Sequence, residues 1–245
     1  MNYLKKNNFH AIFNFSHKEN LNLPFKAIRI DHFLTTDILD QLTYELKDVN
    51  FGSLFLTMGG RNLVSNEEKK FFKIKKQIKC LELIYNHMNT ICFYEKISNE
   101  LSLDLDTKKY FFNKNAALAK ESLIQKIKRK LISLFYKQLF LRIDISLSKE
   151  GYKREPHRDI NERIIVFLLY LSDLNEDTGG VLQFFKSYDE SYPRQPNEEM
   201  LELITELKPQ KNMFVAFESS LNSYHGVSLL KKDERLFIYG GFSVN

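Results

Sequence analysis

The sequence predicts an α+β protein in which helices come first and the strands of a sandwich or barrel follow. Two observations predict this order. Apolar residues recur at helical spacing before residue 136 and in short strand-like runs after residue 139. Most of the glycines and prolines lie after residue 150, where they separate those runs. With 245 residues and 43% hydrophobic residues, the chain can build one substantial core and is not a disordered protein.

The N-terminal part predicts one early strand followed by helices. Residues 25–31 alternate between apolar and polar side chains, as a strand does. Thr35 can cap a helix whose apolar positions recur at helical spacing through Leu46. Residues 66–97 and 118–135 show the same spacing. We expect residues 1–136 to form a mainly helical support region.

The C-terminal part, residues 137–245, predicts the barrel or sandwich itself. Five short apolar runs carry this prediction: residues 139–147, 164–171, 181–185, 213–217 and 236–239. Between the runs at residues 181–185 and 213–217, residues 197–207 predict a short helix or an ordered loop. Two further segments, residues 51–60 and 187–196, have the mixed apolar and glycine composition of loops that border a site. Both parts are expected to form one integrated domain.

Charge and cysteine content limit the classes of protein. The net charge of +5 is concentrated in the N-terminal part, but the lysines are spread out, which favours solvated helix surfaces over an acidic partner. Because no run of about 18 apolar residues exists, we expect no membrane span. The first residues have no apolar stretch behind them, and Cys80 and Cys92 cannot form a disulfide framework. We therefore expect a reduced, cytoplasmic protein.

Three residues can form a metal site. His157 and Asp159 are two positions apart, so in an extended chain both side chains lie on one face. His225, which precedes another apolar strand, offers a third ligand. Two histidines and a carboxylate are the ligands of non-haem Fe(II) oxygenases, but the same set also binds zinc. A zinc hydrolase would need a general base, for which Glu155 is the sequence-near candidate.

Arg235 opens an apolar strand, where a cation needs a partner. The guanidinium suits a bidentate carboxylate, and a dicarboxylate ligand could supply it while its other end chelates a metal. The alternative is an ion pair with Asp233 or Glu234, and taken alone the arginine favours that alternative.

Five sequence stretches in this order and spacing resemble the iron- and 2-oxoglutarate-dependent dioxygenases, closest to their prolyl 4-hydroxylase-like branch. The resemblance covers residues 139–245, with a looser likeness over residues 25–46. The stretches are Glu155-Pro156-His157-Arg158-Asp159, residues 163–173, residues 177–184, Lys208-Pro209 with residues 212–217, and Tyr224-His225-Gly226-Val227 with Arg235.

The resemblance implies a double-stranded β-helix, a jelly-roll or cupin-like barrel, with the N-terminal helices packed on one sheet. It implies that Fe(II) is bound by His157, Asp159 and His225. It also implies that the distal carboxylate of 2-oxoglutarate contacts Arg235 and Tyr170, although Tyr170 could equally be a core tyrosine with a satisfied hydroxyl. The apolar lining of the co-substrate pocket would be Leu182 and Val227. Finally, His225 and Arg235 would lie on consecutive strands in opposite sheets.

The function implied is a dioxygenase that uses Fe(II), 2-oxoglutarate and dioxygen, with ascorbate as a further candidate, to hydroxylate an unactivated C–H bond. A prolyl residue in a protein or peptide is the first substrate expectation, and a free amino acid or other small molecule is the alternative. A non-catalytic β-barrel binding module is the rival class. No cluster of arginines follows Arg235, which argues against nucleic acid as a partner. The oligomeric state stays open.

Two positions depart from the family pattern, and one matches it decisively. Ser148 stands where family prolyl hydroxylases often carry a tyrosine, nine residues before the first metal histidine. The chain has no tryptophan and reads Tyr239-Gly240-Gly241-Phe242 near the end of the last strand, where the family commonly carries one. Asp159 is present, whereas family halogenases have a small residue there, so the resemblance favours hydroxylation over halogenation.

Overall fold

The computed structural model describes residues 11–47, 49, 55–57, 60–104, 109–114, 131–132, 135–189 and 191–245. Within these ranges the helices are α1 (Thr36–Leu46), α2 (Lys69–Gln77), α3 (Lys79–Met88) and α4 (Ile91–Glu100). The strands are β1 (Lys18–Asn20), β2 (Ala27–Ile30), β3 (Phe55–Thr57), β4 (Arg61–Ser65), β5 (Tyr110–Phe112), β6 (Lys137–Ser148), β7 (Arg154–His157), β8 (Arg163–Tyr170), β9 (Leu182–Ser187), β10 (Leu201–Leu207), β11 (Phe214–Glu218), β12 (Tyr224–Val227) and β13 (Arg235–Val244).

The local sequence accounts for several helix ends, although Thr35, the predicted cap of α1, makes no side-chain capping hydrogen bond. In α1 the buried residues are leucines at helical spacing, which confirms the predicted helix. The helical pattern of residues 66–97 is divided into α2, α3 and α4. Ile78 interrupts it with extended backbone angles between α2 and α3. Thr90 starts α4, because its hydroxyl accepts a hydrogen bond from the Phe93 amide at 3.2 Å.

Two sheets build the barrel. The larger has the strand order β1-β2-β11-β8-β13-β6-β4-β3, with β5 paired alongside β6, and the smaller has the order β10-β9-β12-β7. Every pairing is antiparallel except that of β5 with β6. The N-terminal strands join the large sheet directly, since β2 pairs with β11 and β4 pairs with β6.

The large sheet has two different faces because successive side chains of a strand alternate. Its outer face packs against the helices: the ring of Phe93 on α4 lies 6.1 Å from that of Phe167 and 6.2 Å from that of Phe242. Its inner face packs against the small sheet, where Phe184 lies 5.3 Å from Phe217. The helices therefore cover one sheet, as predicted, and the space between the sheets forms a second core.

The chain crosses between the sheets after β12. His225 lies on β12 in the small sheet, and Arg235 lies on β13 in the large sheet. No hairpin joins these two strands, since β12 pairs with β7 and β9 while β13 pairs with β6 and β8. This crossover is the one that the sequence resemblance required.

Three predicted segments have other outcomes. The prediction of a helix or loop over residues 197–207 was wrong, because a 3-10 turn at Glu198–Met200 leads into strand β10. That strand lies at the sheet edge and is mostly exposed, so it carries glutamates instead of an apolar run. The predicted loop of residues 51–60 contains strand β3. Most of the helix predicted over residues 118–135 lies outside the described residues.

In the described part of the chain, no helix has the length and apolar character needed to cross a bilayer.

Candidate active site

The three predicted metal ligands meet at one end of the small sheet. His157 ends β7 and lies directly opposite His225 on β12, with 4.4 Å between the ring centroids. Asp159 follows two residues after His157, and its Oδ2 lies 3.8 Å from the Nε2 of His225. One ligand atom from each of the three residues lies within 4.8 Å of the others, so the group could hold a metal ion.

Hydrogen bonds orient both imidazoles for a metal. The Nδ1 of His157 lies 2.9 Å from the Glu155 carbonyl oxygen, and the Nδ1 of His225 lies 3.1 Å from the Ser223 carbonyl oxygen. A carbonyl accepts only, so each Nδ1 carries the proton and each Nε2 keeps its lone pair. Burial lowers the pKa of both histidines below the usual range, and each lies close to other cationic or ionisable groups. Neutral imidazoles are the form that binds metals.

A second layer of side chains holds the carboxylate ligand. The hydroxyl of Tyr239 donates to Asp159 at 3.2 Å, and the same hydroxyl accepts a bond from Arg163 at 2.5 Å. Burial alone would raise the pKa of Asp159, but the nearby His225 and Arg163 outweigh it and lower that pKa. Tyr239 thus fixes the orientation of an ionised ligand, a role that the sequence did not indicate.

The three ligands open into a cavity of about 120 Å³ between the two sheets. Its walls mix polar and apolar side chains on both sheets. The lining residues are Arg61, Tyr152, Arg154, His157, Asp159, Leu168, Leu182, His225, Val227, Arg235, Phe237 and Tyr239. A more open groove of about 440 Å³ lies beside β1 and β2, but it holds none of the metal-binding group.

Arg235 lies in this cavity without a carboxylate partner among the described residues. It is only 1% exposed, and its Nη1 donates to the Gly180 carbonyl oxygen at 2.7 Å. Both alternatives from the sequence are excluded, because Glu234 pairs with Lys149 at 3.1 Å and Asp233 accepts a bond from Asn175 at 3.3 Å. Burial lowers the pKa of Arg235. Such a cation is a fitting receptor for the free carboxylate of a ligand.

A glycine pair shapes the wall that Arg235 contacts. Gly179 has a φ of +71°, and a Cβ built there would lie 2.0 Å from the Leu229 carbonyl oxygen. Only glycine therefore fits at this close approach. The tight backbone path presents the carbonyl of Gly180 to the guanidinium, which fixes the direction of Arg235.

The remaining predicted residues lie around Arg235. Leu182 and Val227 line the cavity. Tyr170 is fully buried behind the lining, with its ring 5.8 Å from the guanidinium of Arg235. Its hydroxyl has no hydrogen-bond partner among the described residues, and burial raises its pKa to about 12. The interpretation of Tyr170 as a core residue with a satisfied hydroxyl does not fit this observation.

The structure does not support Glu155 as the general base of a zinc hydrolase. Glu155 is exposed, pairs with Lys153 at 3.0 Å and does not line the cavity. The donor set and the partnerless buried groups, by contrast, suit Fe(II) together with a dicarboxylate.

The sequence reasoning missed Arg61 and Arg154. Arg61 donates to Asp144 at 2.7 Å and to Ser146 at 2.8 Å. Arg154 reaches the cavity through an irregularity in the pairing of β12 with β7. Three positions on β12 face four positions on β7, so His225 opposes His157 while Val227 opposes Arg154. Regular alternation would place residues 154 and 157 on opposite faces, and no sequence pattern indicated the bulge.

Comparisons with known proteins agree with the geometry. Residues 143–242 match the family model described as the 2OG-Fe(II) oxygenase superfamily. This span contains the metal-binding group and Arg235, and it confirms the predicted resemblance to that superfamily. No curated protein sequence matches the chain.

Several solved structures resemble this one at low sequence identity. A prolyl 4-hydroxylase from Phytophthora capsici is 14% identical with a TM-score of 0.51, and the match covers 89% of this chain and 58% of that one. A prolyl-4-hydroxylase from Pseudomonas putida is 16% identical, with a TM-score of 0.47 and coverage of 90% and 93%. The viral collagen prolyl hydroxylase of Paramecium Bursaria Chlorella virus-1, solved with 2OG, is 12% identical, with a TM-score of 0.49 and coverage of 90% and 96%. The two facing sheets and the likeness to the first structure confirm the predicted double-stranded β-helix.

Proposed function

We propose, from the match of residues 143–242 to the family model of the 2OG-Fe(II) oxygenase superfamily, that this protein is an Fe(II)- and 2-oxoglutarate-dependent hydroxylase. One observation carries the proposal. His157, Asp159 and His225 converge on one point of a cavity whose opposite wall holds the buried, carboxylate-free Arg235. The histidines lie on strands of the small sheet and Arg235 lies on the large sheet. The local structure of either sheet therefore does not explain why the metal-binding group and Arg235 face the same cavity.

In this proposal each residue has one task. His157, Asp159 and His225 hold Fe(II) through two nitrogens and one oxygen, which leaves further positions for ligands. Arg235 binds the distal carboxylate of 2-oxoglutarate, and the hydroxyl of Tyr170 gives that carboxylate a second hydrogen bond. Leu182 and Val227 cover the co-substrate and exclude water from it. When bound, Fe(II) and 2-oxoglutarate supply the oxidation of a C–H bond by dioxygen, with succinate and CO₂ as co-products.

A prolyl residue in a protein or peptide is the first substrate to test, and a free amino acid or other small molecule is the alternative. One similar structure is described as a prolyl hydroxylase from Trichoplax adhaerens in complex with a peptide fragment of hypoxia inducible factor. That description concerns the other protein, and at a TM-score of 0.49 it carries no argument for this chain.

The test begins with metal analysis of anaerobically prepared protein, which distinguishes iron from zinc. Purified protein is then given Fe(II), 2-oxoglutarate and air with prolyl peptides and free amino acids, and succinate is measured. We expect succinate from the unaltered protein and none from His157→Ala. If no substrate yields succinate and His157→Ala keeps the iron affinity of the unaltered protein, the proposal is wrong.

We also propose that residues 1–136 and 137–245 form one integrated domain. The pairings of β2 with β11 and of β4 with β6 support it, because each joins the two parts within one sheet. A single cooperative thermal transition, with the same midpoint by circular dichroism and calorimetry, is the expected result. Two separate transitions would contradict it.

A cytoplasmic location completes the proposal. Cys80 is buried and Cys92 is exposed, and both thiols are free, which suits a reducing compartment. Fractionation of the source cells is the direct check, and recovery of the protein outside the cytoplasm would contradict it.

A further inference from the structure

Three arginines line the cavity, and they differ in what neutralises them. Arg235 faces the place where the proposed function puts the distal carboxylate of 2-oxoglutarate. Arg61 pairs with Asp144 at 2.7 Å and is therefore neutralised by the protein itself. Arg154 has no carboxylate within ion-pair distance in the described part of the chain. The charge of Arg154 is thus unexplained by either the fold or the co-substrate.

The surroundings of Arg154 direct its side chain into the cavity. The bulge between β7 and β12 turns it to the side of His157. Its only side-chain hydrogen bond within the described residues runs from its Nε to the Nε2 of His157, at 3.4 Å. That nitrogen is the one which the proposed metal uses. With Fe(II) bound there, Arg154 loses this acceptor, and its guanidinium is free to donate to a ligand beside the metal.

Charge accounting leads to the same residue. With Fe(II) and the 2-oxoglutarate dianion bound, the two charges of the metal and the charge of Arg235 offset Asp159 and both co-substrate carboxylates. Asp144 offsets Arg61. Arg154 then keeps one positive charge in the cavity. Arg163, which lies 3.8 Å from Asp159 outside the lining, makes the surroundings more positive still. Arg154 is half-buried, and a partly desolvated cation without a counter-charge favours a complementary anion beside it.

We propose that Arg154 binds a free carboxylate of the substrate, so that this site takes carboxylate-bearing molecules, either free amino acids or chain ends, instead of internal peptide residues. The inference rests on the proposed function, since it places the substrate beside the metal-binding group. The planar fork of arginine binds a carboxylate by two parallel hydrogen bonds and so fixes its orientation as well as its position. An internal prolyl residue offers only neutral amide groups, which leave the charge of Arg154 unmatched.

The experiment measures binding without turnover. The anaerobic complex of the protein with Fe(II) and 2-oxoglutarate is titrated calorimetrically with the free L-amino acids and with their carboxamides. Glycyl dipeptides ending in a free carboxylate, and their amides, separate chain ends from free amino acids. We expect at least one carboxylate ligand to bind about 10-fold or more tightly than its amide. Arg154→Gln should weaken that carboxylate about 10- to 100-fold, the range for a lost charge-assisted hydrogen bond, and leave the amide unchanged.

Control variants separate this role from a structural one. Lys153→Gln removes the same charge one residue away, where the side chain pairs with Glu155 at the surface, and should change no affinity. Arg154→Lys keeps the charge without the fork and should give an intermediate affinity. Arg154→Gln should also bind Fe(II) at least as tightly as the unaltered protein, because a neighbouring cation repels the metal. A merely structural role would instead weaken iron binding along with everything else.

The outcomes distinguish the two proposals. If the unaltered protein forms no complex with Fe(II) and 2-oxoglutarate, the proposed function fails and this inference falls with it. If the complex forms but no carboxylate binds better than its amide, the inference alone is overturned. The inference alone is also overturned if Arg154→Gln still prefers the carboxylate to the amide. Equal thermal midpoints of Arg154→Gln and Lys153→Gln would show that the variant is folded in that test.

Discussion

The two faces of the large sheet differ in kind, although they are built from alternate residues of the same strands. The outer face is apolar and aromatic, and rings such as Phe167 and Phe242 pack against α4. The inner face of β6 instead presents Asp144, Ser146 and Ser148 toward the cavity side. The outer face is therefore an apolar packing surface, whereas the inner face combines a second apolar core with polar groups whose arrangement suits a ligand.

The same contrast appears within one row of the inner face. Arg61 on β4 and Arg235 on β13 both pair with Ser148 on β6, one from each side. Burial disfavours the charge of both arginines, but for Arg61 the carboxylate of Asp144, together with smaller contributions from nearby tyrosines, outweighs burial and raises the pKa. Nothing comparable acts on Arg235, whose pKa is lowered. One arginine thus belongs to the fold, and the other is matched only when a ligand is present.

The largest expected effect is the loss of a metal ligand. His157→Ala should lower succinate formation more than about 10⁴-fold, the scale found when a central catalytic group is removed. It should leave the thermal midpoint of the metal-free protein nearly unchanged. His87→Ala on α3, whose ring bonds to the Leu83 carbonyl, is the matched control with full activity. Equal activity of both variants would mean that the metal-binding group is not the reaction centre.

Truncation of the outer face should damage stability and spare the chemistry. Phe167 is fully buried against Phe93, Phe214 and Phe242. Phe167→Ala should lower the free energy of unfolding by about 3–5 kcal/mol in a urea titration. The KM for 2-oxoglutarate of the folded fraction should not change. A large rise in that KM would show that the two faces are not separable.

The two arginines of the shared row should respond in opposite ways. Arg61→Gln leaves Asp144 without its partner and should cost about 2–3 kcal/mol of stability, since both groups keep slight exposure. Arg235→Gln removes a buried, unmatched charge, so the ligand-free protein should be no less stable. Its KM for 2-oxoglutarate should instead rise about 10- to 100-fold. If Arg235→Gln loses stability as Arg61→Gln does, Arg235 is part of the fold and not a ligand receptor.

Much of this architecture could be predicted because the signals are local. Short apolar runs predicted β6, β8, β9, β11 and β13, since those strands are buried on at least one face. The ligand positions could be predicted because a short motif places His157 and Asp159 on one side of an extended chain. The crossover before β13 was implied by the resemblance to the dioxygenases, and the structure confirms it.

The features that escaped prediction depend on contacts between distant segments. Arg154 enters the cavity only because β7 and β12 pair with a bulge, and neither strand signals it alone. Arg61 lies in a mixed segment whose pairing with β6 spans more than 80 residues of sequence, as its bond to Ser146 shows. Strand β10 was misassigned because an edge strand needs no apolar run. Sequence periodicity reports which residues are buried in the core. It is therefore least informative where solvent exposure or ligand binding, instead of core packing, determines which amino acid is present.

The smallest expected effect concerns a single hydroxyl on the inner face. Tyr170→Phe removes a buried hydroxyl that has no partner among the described residues, so the ligand-free protein should gain up to about 1 kcal/mol of stability. If that hydroxyl bonds to the carboxylate held by Arg235, the KM for 2-oxoglutarate should rise about 2- to 10-fold at the same time. Tyr94→Phe is the matched control, because Tyr94 is equally buried but contacts Phe242 on the outer face. If the KM for 2-oxoglutarate changes equally in both variants, or in neither, Tyr170 is only a core residue. Only a contact between its hydroxyl and the co-substrate would make the KM depend on that hydroxyl.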